Sequence, residues 1–317
     1  MNKKTLDVIA YNIHTGGGRV VLHGFLKEKS QEYDSILCIC DARLKFPSEL
    51  YPKVQFLPIH STIRERMDFE INIRKIIRKD SKVYFLGNLP PIKKITNKST
   101  LFLQNRFLVD RPFFNFSGFK NLIQSAIELI WFKLFINHVS EIEVQTPIMA
   151  KKVKKSFNGK ILLKNYFDYD ELIPIKKSNE KSEYFIYISA AFPHKNHWMI
   201  VAALSILAKK NLYPKMIFTI SPEENGSVIK KITKFQKKYK LNIDFLYNVP
   251  RSEVLEKLAN AKALVWPSRF ESCGLPILEA EYLKQKIILI ENDFAPMKNH
   301  IPFKTTEELA SVLEKAM

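Results

Sequence analysis

Residues 263–283 constrain the fold of this chain more than any other stretch. Ala263 to Trp266 is an apolar run of the kind that forms a buried strand. Pro267-Ser268 stops it, and a short loop follows with a carboxylate, Glu271, and a glycine, Gly274. Pro276 then stands where a first helical turn accepts proline, because its missing N–H has no intrahelical partner there anyway. The amides of Gly274 and Leu275 are thereby left as free donors at the positive end of a helix dipole, a ready phosphate site. Glu279 falls one turn into the helix, so its carboxylate looks back toward the same mouth. Carboxylates accept from hydroxyls and amides take charged oxygens. A ligand with hydroxyls at both ends and a diphosphate between them, such as a nucleotide-sugar, matches that division. A surface glutamate followed by an ordinary helix glutamate is the plainer alternative. The strand stop, the glycine and the helix-opening proline together favour the ligand.

The rest of the chain repeats strand and helix. Strands are expected at residues 5–12, 35–40, 53–57, 82–86, 100–103 and 141–144, with a helix over 62–77 among those between them. After a stretch without periodicity, 166–182, the series resumes at 184–189, 215–220, 242–245, 263–266 and 287–290. This alternation predicts α/β architecture with two doubly wound, parallel-sheet domains. The expected division is 1–165, a linker over 166–182, 183–300, and a C-terminal helix over 301–317. Ligands of such sheets gather beyond the carboxyl ends of strands. His14, Asn88 and Asn105 stand there in the first domain as acceptor-side candidates. Gly16-Gly17-Gly18 is expected as a loop before a helix over 20–26, letting backbone approach a ligand. It is not the G-x-G-x-x-G dinucleotide pattern, so no nicotinamide cofactor is implied.

With 50 Lys and Arg against 32 Asp and Glu, the net charge of +18 predicts attraction to polyanions. No zinc-ligand set, RNA-binding strand motif or helix-turn-helix is legible, so nucleic acid is not the expected partner. An anionic membrane surface fits better. Three cysteines, Cys38, Cys40 and Cys273, read as reduced core thiols of a cytoplasmic protein, and the N-terminus shows no secretory signal. The most apolar helix candidate, 122–136, is broken by Glu128 and Lys133 and too short to span a bilayer; it suits burial or a membrane interface, and burial is the default expectation.

Pro267-Ser268, Glu271, Gly274-Leu275-Pro276 and Glu279-Ala280 resemble the E-x7-E signature of retaining GT-B glycosyltransferases of family four. That resemblance implies two Rossmann-like domains facing a central cleft and transfer of a hexosyl unit from a nucleoside-diphosphate sugar, with retention and without a metal or other cofactor. By resemblance Glu271 contacts donor-sugar hydroxyls, Glu279 the ribose, and Ser272 with the Gly274 and Leu275 amides the diphosphate. Lys195, after the first strand of the second domain, matches the family's diphosphate-binding lysine. Gly17 and Gly18 match its glycine loop, and Val249 lies in the loop over the base. The acceptor implied is a glycan, lipid-linked as in bacterial surface polysaccharide or lipopolysaccharide synthesis, which places the enzyme peripherally at the inner face of the cytoplasmic membrane. Two departures stand out. Ala190 replaces the arginine that usually accompanies the lysine, and Asn88 and Asn105 occupy the region where relatives carry a histidine. A polyanion- or nucleotide-binding protein without catalysis is the alternative function class.

Overall fold

The computed structural model describes residues 3–14, 16–44, 48–60, 62–110, 119–177, 183–247, 249–295, 298 and 300–317, with backbone alone at 48, 119–122 and 224. The chain divides into two compact units, Met1–Asp168 and Tyr169–Met317. The division falls inside the stretch where the sequence predicts a linker.

The first unit runs β1 (Thr5–Ala10), α1 (Gly16–Glu32), β2 (Ser35–Asp41), β3 (Val54–Ile59), α2 (Ile63–Ile76), β4 (Lys82–Phe85), β5 (Ser99–Leu103), α3 (Phe119–Phe135), β6 (Glu141–Val144), α4 (Pro147–Val153) and β7 (Lys160–Leu163). Its seven strands order as β3-β2-β1-β4-β5-β6-β7, and every pairing is parallel. Strands buried on both faces read as apolar runs, which is why β1 and β5 are near-continuous in buried side chains. One polar residue interrupts β1. Asp7 is fully buried and accepts hydrogen bonds from the Arg78 backbone, the Arg78 guanidinium and the Ser81 hydroxyl at 2.7, 2.7 and 2.8 Å. A buried carboxylate left unpaired is costly, so this cluster holds the turn that leads into β4 beside β1. α2 opens where its sequence says it should: Thr62 accepts from the Glu65 amide at 3.2 Å.

The second unit runs β8 (Tyr184–Tyr187), α5 (His197–Ala208), β9 (Lys215–Phe218), α6 (Pro222–Tyr239), β10 (Ile243–Phe245), α7 (Arg251–Ala259), β11 (Leu264–Trp266), α8 (Leu275–Tyr282), β12 (Ile287–Ile290), β13 (Ile301–Phe303) and α9 (Thr306–Ala316). Strand order β10-β9-β8-β11-β12-β13 is the 3-2-1-4-5-6 order of a Rossmann fold. α9 lies against α5, with Lys210 2.6 Å from Glu314.

Several elements depart from the sequence reading. Gly16, Gly17 and Gly18 form the first turn of α1 instead of a loop before it. β7 and β13 were not foreseen. β13 lies within the segment expected as C-terminal helix, and its Pro302 argues against a strand; it is tolerated because β13 is a sheet edge. α3 is only partly buried, contrary to the burial expected of so apolar a helix.

α1 also packs unusually close to the end of its unit. A Cβ on Gly24 would lie 2.0 Å from the Tyr166 carbonyl oxygen, and Lys27 meets both carboxylate oxygens of Asp168 at 2.9 Å. Replacing Gly24 by Ala should therefore destabilise the protein by about 1–3 kcal/mol in urea unfolding, the range for forced overpacking. Gly18→Ala, whose Cβ would meet only Ile13 at 3.4 Å, should be neutral or mildly stabilising.

Candidate active site

In the second unit the chain order reverses between β8 and β11, the switch point where doubly wound sheets collect their ligands. β8 leads into the turn Pro193–Lys195, and β11 into the loop that ends at Gly274. Tyr187 donates to the Lys195 carbonyl at 2.6 Å and fixes the first of these. Lys195 Nζ then reaches across to Glu271 Oε1 at 2.6 Å, 5.5 Å from the centre of the Trp266 ring. Ser268, fully buried, donates to the same Glu271 oxygen at 2.6 Å. Two residues 76 positions apart, one singled out as a loop carboxylate and the other by family resemblance, thus form one ion pair. Asn196 takes the N-cap position of α5 in a left-handed conformation (φ 57°), but its side chain makes no cap bond; it reaches Met199 Sδ and the Pro267 carbonyl instead.

Gly274 is the N-cap of α8 with φ 80° and ψ 67°, a conformation that disfavours any side chain. Among the described residues no acceptor satisfies the Gly274 or Leu275 amide. Ser272 lies in the same loop. Burial pushes the neighbouring Cys273 thiol up to about 12, which keeps it protonated and unreactive. Glu279 is 2% exposed and accepts from Arg251 at 2.7 Å; Arg251 also donates to Glu171 at 2.9 Å. Burial raises the Glu279 carboxyl, and the Arg251 guanidinium opposes it. Sequence reasoning missed Arg251. A cation at the first position of α7 opposes the helix dipole, and that anomaly was the available signal for a carboxylate partner. Val249 precedes the Pro250 cap of this helix.

The three acceptor-side candidates come together in the first unit. His14, Asn88 and Asn105 line one pocket of ≈ 340 Å³ with Tyr11, Asn12 and Arg66, among others. It sits at that unit's switch point, beyond the ends of β1 and β4, where Asn12 and Asn88 both adopt φ 68°. Asn88 Oδ1 accepts from the Gln104 and Asn105 amides at 2.7 and 2.8 Å, and Asn105 Oδ1 from the Phe107 amide at 3.1 Å. These bonds fix both amides in orientation. His14 Nδ1 lies 3.7 Å from Asp41. Arg66, unremarked in the sequence, is held 4.5 Å from the Tyr11 ring and 4.8 Å from that of Trp131. Gly17 and Gly18, in the first turn of α1, are not among the pocket's lining. Among the described residues no group of three His, Cys, Asp or Glu is placed to hold a metal ion.

The histidines beside Lys195 are neutral. Burial holds His194 down to about 4, helped by the Lys195 ammonium. It holds His197, packed against the Tyr187 and Phe218 rings, down to about 3. In the unfolded chain both take up a proton below about pH 6.5. The unfolded state then binds more protons than the folded one, so stability is lost as pH falls from about 6.5 toward 4. His197→Gln should lose about 2–3 kcal/mol less than the parent between pH 7 and 4 in urea titrations. Equal losses would show that His197 is not the buried neutral group described.

Residues 168–299 match the family model described as glycosyl transferases group 1. No match is found among curated protein sequences. Among solved structures the chain resembles Anabaena Alr3699/HepE in complex with UDP and glucose, at TM-score 0.71 and 13% identity, covering 98% of this chain and 89% of that one. A glycosyltransferase from Rickettsia africae ESF-5 gives 0.70 and 14%, covering 100% and 88%. WaaG, a glycosyltransferase involved in lipopolysaccharide biosynthesis, gives 0.64 and 14%, covering 98% and 90%. With the strand orders above, the structural likenesses give the chain the GT-B fold, and residues 168–299 match the glycosyl transferases group 1 family model.

Proposed function

We propose that this protein is a glycosyltransferase that moves a hexosyl unit from a nucleoside-diphosphate sugar to a glycan acceptor, lipid-linked and of the bacterial surface polysaccharide type, with retention and without a metal or other cofactor. The observation that carries the reading is the Lys195–Glu271 pair at the opening of α8, in the unit that matches the family. Leaving-group stabilisation is the chemistry such a site offers. As the bond from sugar to diphosphate breaks, negative charge grows on the phosphate oxygens. An ammonium and oriented amides that are already in place need no reorganisation to receive it. Lys195 and the Gly274 and Leu275 amides take that part, with Ser272, Gly17 and Gly18 assigned to the same diphosphate.

Glu271 is assigned to the sugar hydroxyls. A bound diphosphate competes with it for Lys195, and the carboxylate then turns to those hydroxyls. Glu279, held by Arg251, is assigned to the ribose, and Val249 to the base. His14, Asn88 and Asn105 are assigned to the acceptor; the two asparagines are fixed through their oxygens, which leaves their amide N–H groups to donate. Solved relatives in complex with UDP and with UDP-glucose support a nucleoside-diphosphate sugar as donor. With Ala190 in place of a second cation, Lys195 carries the full cationic share. Lys195→Ala should accordingly lower nucleotide-sugar turnover by about 10²–10³. Release of nucleoside diphosphate from radiolabelled UDP-, GDP- and dTDP-sugars, with chelator present, reads this directly. Consumption of none of them, or equal rates in the variant, would exclude the reading.

A further inference from the structure

α3 presents three different faces. Phe132 is buried in the core of its unit, while Gln124 and Glu128 line the acceptor-side pocket. On a third face Ile123, Ile127, Ile130 and Leu134 are 45%, 57%, 58% and 66% exposed. At about 100° per residue these four fall within an arc of about 60°, with Phe132 on the opposite side and the pocket residues about a quarter-turn away. A continuous stripe of four large aliphatic side chains in water is unfavourable without an occupant. α2, joined to α3 through Arg66 against the Trp131 ring, repeats the pattern with Ile63, Met67 and Ile71 exposed. Basic residues stand among these apolar ones: Arg64, Arg74 and Lys75 are exposed on α2, and Lys133 on α3. Aliphatic stripes flanked by Lys and Arg suit the boundary of an anionic bilayer, where the apolar face enters and the cations meet headgroups. Among the described residues no helix is long and apolar enough to cross a membrane, so the contact is one of lying on the surface.

We infer that the exposed stripe of α3, with that of α2, is the membrane-docking face of the protein, and that its occupant is an anionic lipid bilayer. The inference rests on the proposed transfer to a lipid-linked acceptor and makes it more specific. A single helix both lies on the bilayer and lines the pocket, so a glycan attached to lipid in that bilayer enters beside its own anchor. Co-sedimentation with phosphatidylglycerol–phosphatidylcholine vesicles, against pure phosphatidylcholine, tests it. The wild-type chain should bind the anionic vesicles, and Ile127→Ser/Ile130→Ser should bind at least tenfold more weakly, with unchanged thermal unfolding. Ile63→Ser/Met67→Ser is a second variant, confined to α2, and it should also weaken binding. Equal vesicle binding by the wild type and both variants overturns the inference. So does a wild-type dimer, with no vesicle affinity, that the α3 variant converts to monomer, since the occupant is then a second copy. Nucleotide-sugar consumption by the same variants in the absence of vesicles separates the two proposals. Its absence throughout, with vesicle binding still lost in the variants, leaves the docking face standing and removes only the transferase.

Discussion

The ion pair between Lys195 and Glu271 ties together the two loops at the switch point of the second unit, and the proposed function rests on it. Both groups are largely shielded from water, with side-chain exposures of 18% and 11%. Breaking such a pair by removing one partner leaves a poorly solvated charge behind. The Rossmann strand order creates the meeting point, because only β8 and β11 are neighbours at the reversal and each releases its polar loop on the same side of the sheet. Ser268 and Tyr187 then hold the carboxylate and the lysine turn from below. The left-handed Gly274 completes the arrangement by turning the chain into α8 with two amides unsatisfied.

The first unit uses the same topology for a different surface. Its switch point lies between β1 and β4, and at both strand ends an asparagine takes the left-handed conformation that turns the chain outward. Around it are side-chain amides and an imidazole, with the guanidinium groups of Arg43 and Arg66 and the carboxylate of Glu128. Polar groups of this kind suit a carbohydrate rich in hydroxyls. The proposed division of labour places different side-chain chemistry on two sheets that share the strand order 3-2-1-4-5-6.

Much of this was legible in the sequence, for identifiable reasons. Glu271 stands in a loop after an apolar run and could be read locally, whereas Lys195 was singled out only by family resemblance, and their contact is long-range. Asn88 and Asn105 were legible as polar residues that follow apolar runs. Arg251 was missed: its one local sign was a cation at a helix start, and the partners that explain it, Glu171 and Glu279, lie far off in sequence. Arg66 passed unremarked because its contacts with the Tyr11 and Trp131 rings are made only in the folded chain. The short strand β13 was hidden by its proline, and the glycines before α1 read as loop because a helix seldom begins with three of them. For α3 the sequence left burial and a membrane interface as alternatives: an apolar pattern tells how greasy a helix is, whereas the number of sheet faces left to cover it is fixed only by the assembled fold.

The measurement that bears most directly on the central ion pair is calorimetric titration of a sugar-free nucleoside diphosphate into the wild type and Glu271→Gln. If Glu271 and the phosphates share Lys195, removing the carboxylate charge frees the ammonium. The variant should then bind the diphosphate severalfold tighter, although it has lost the group assigned to the sugar. Equal or weaker binding in the variant would contradict the account, because it would mean that Lys195 is not the cation that holds the diphosphate.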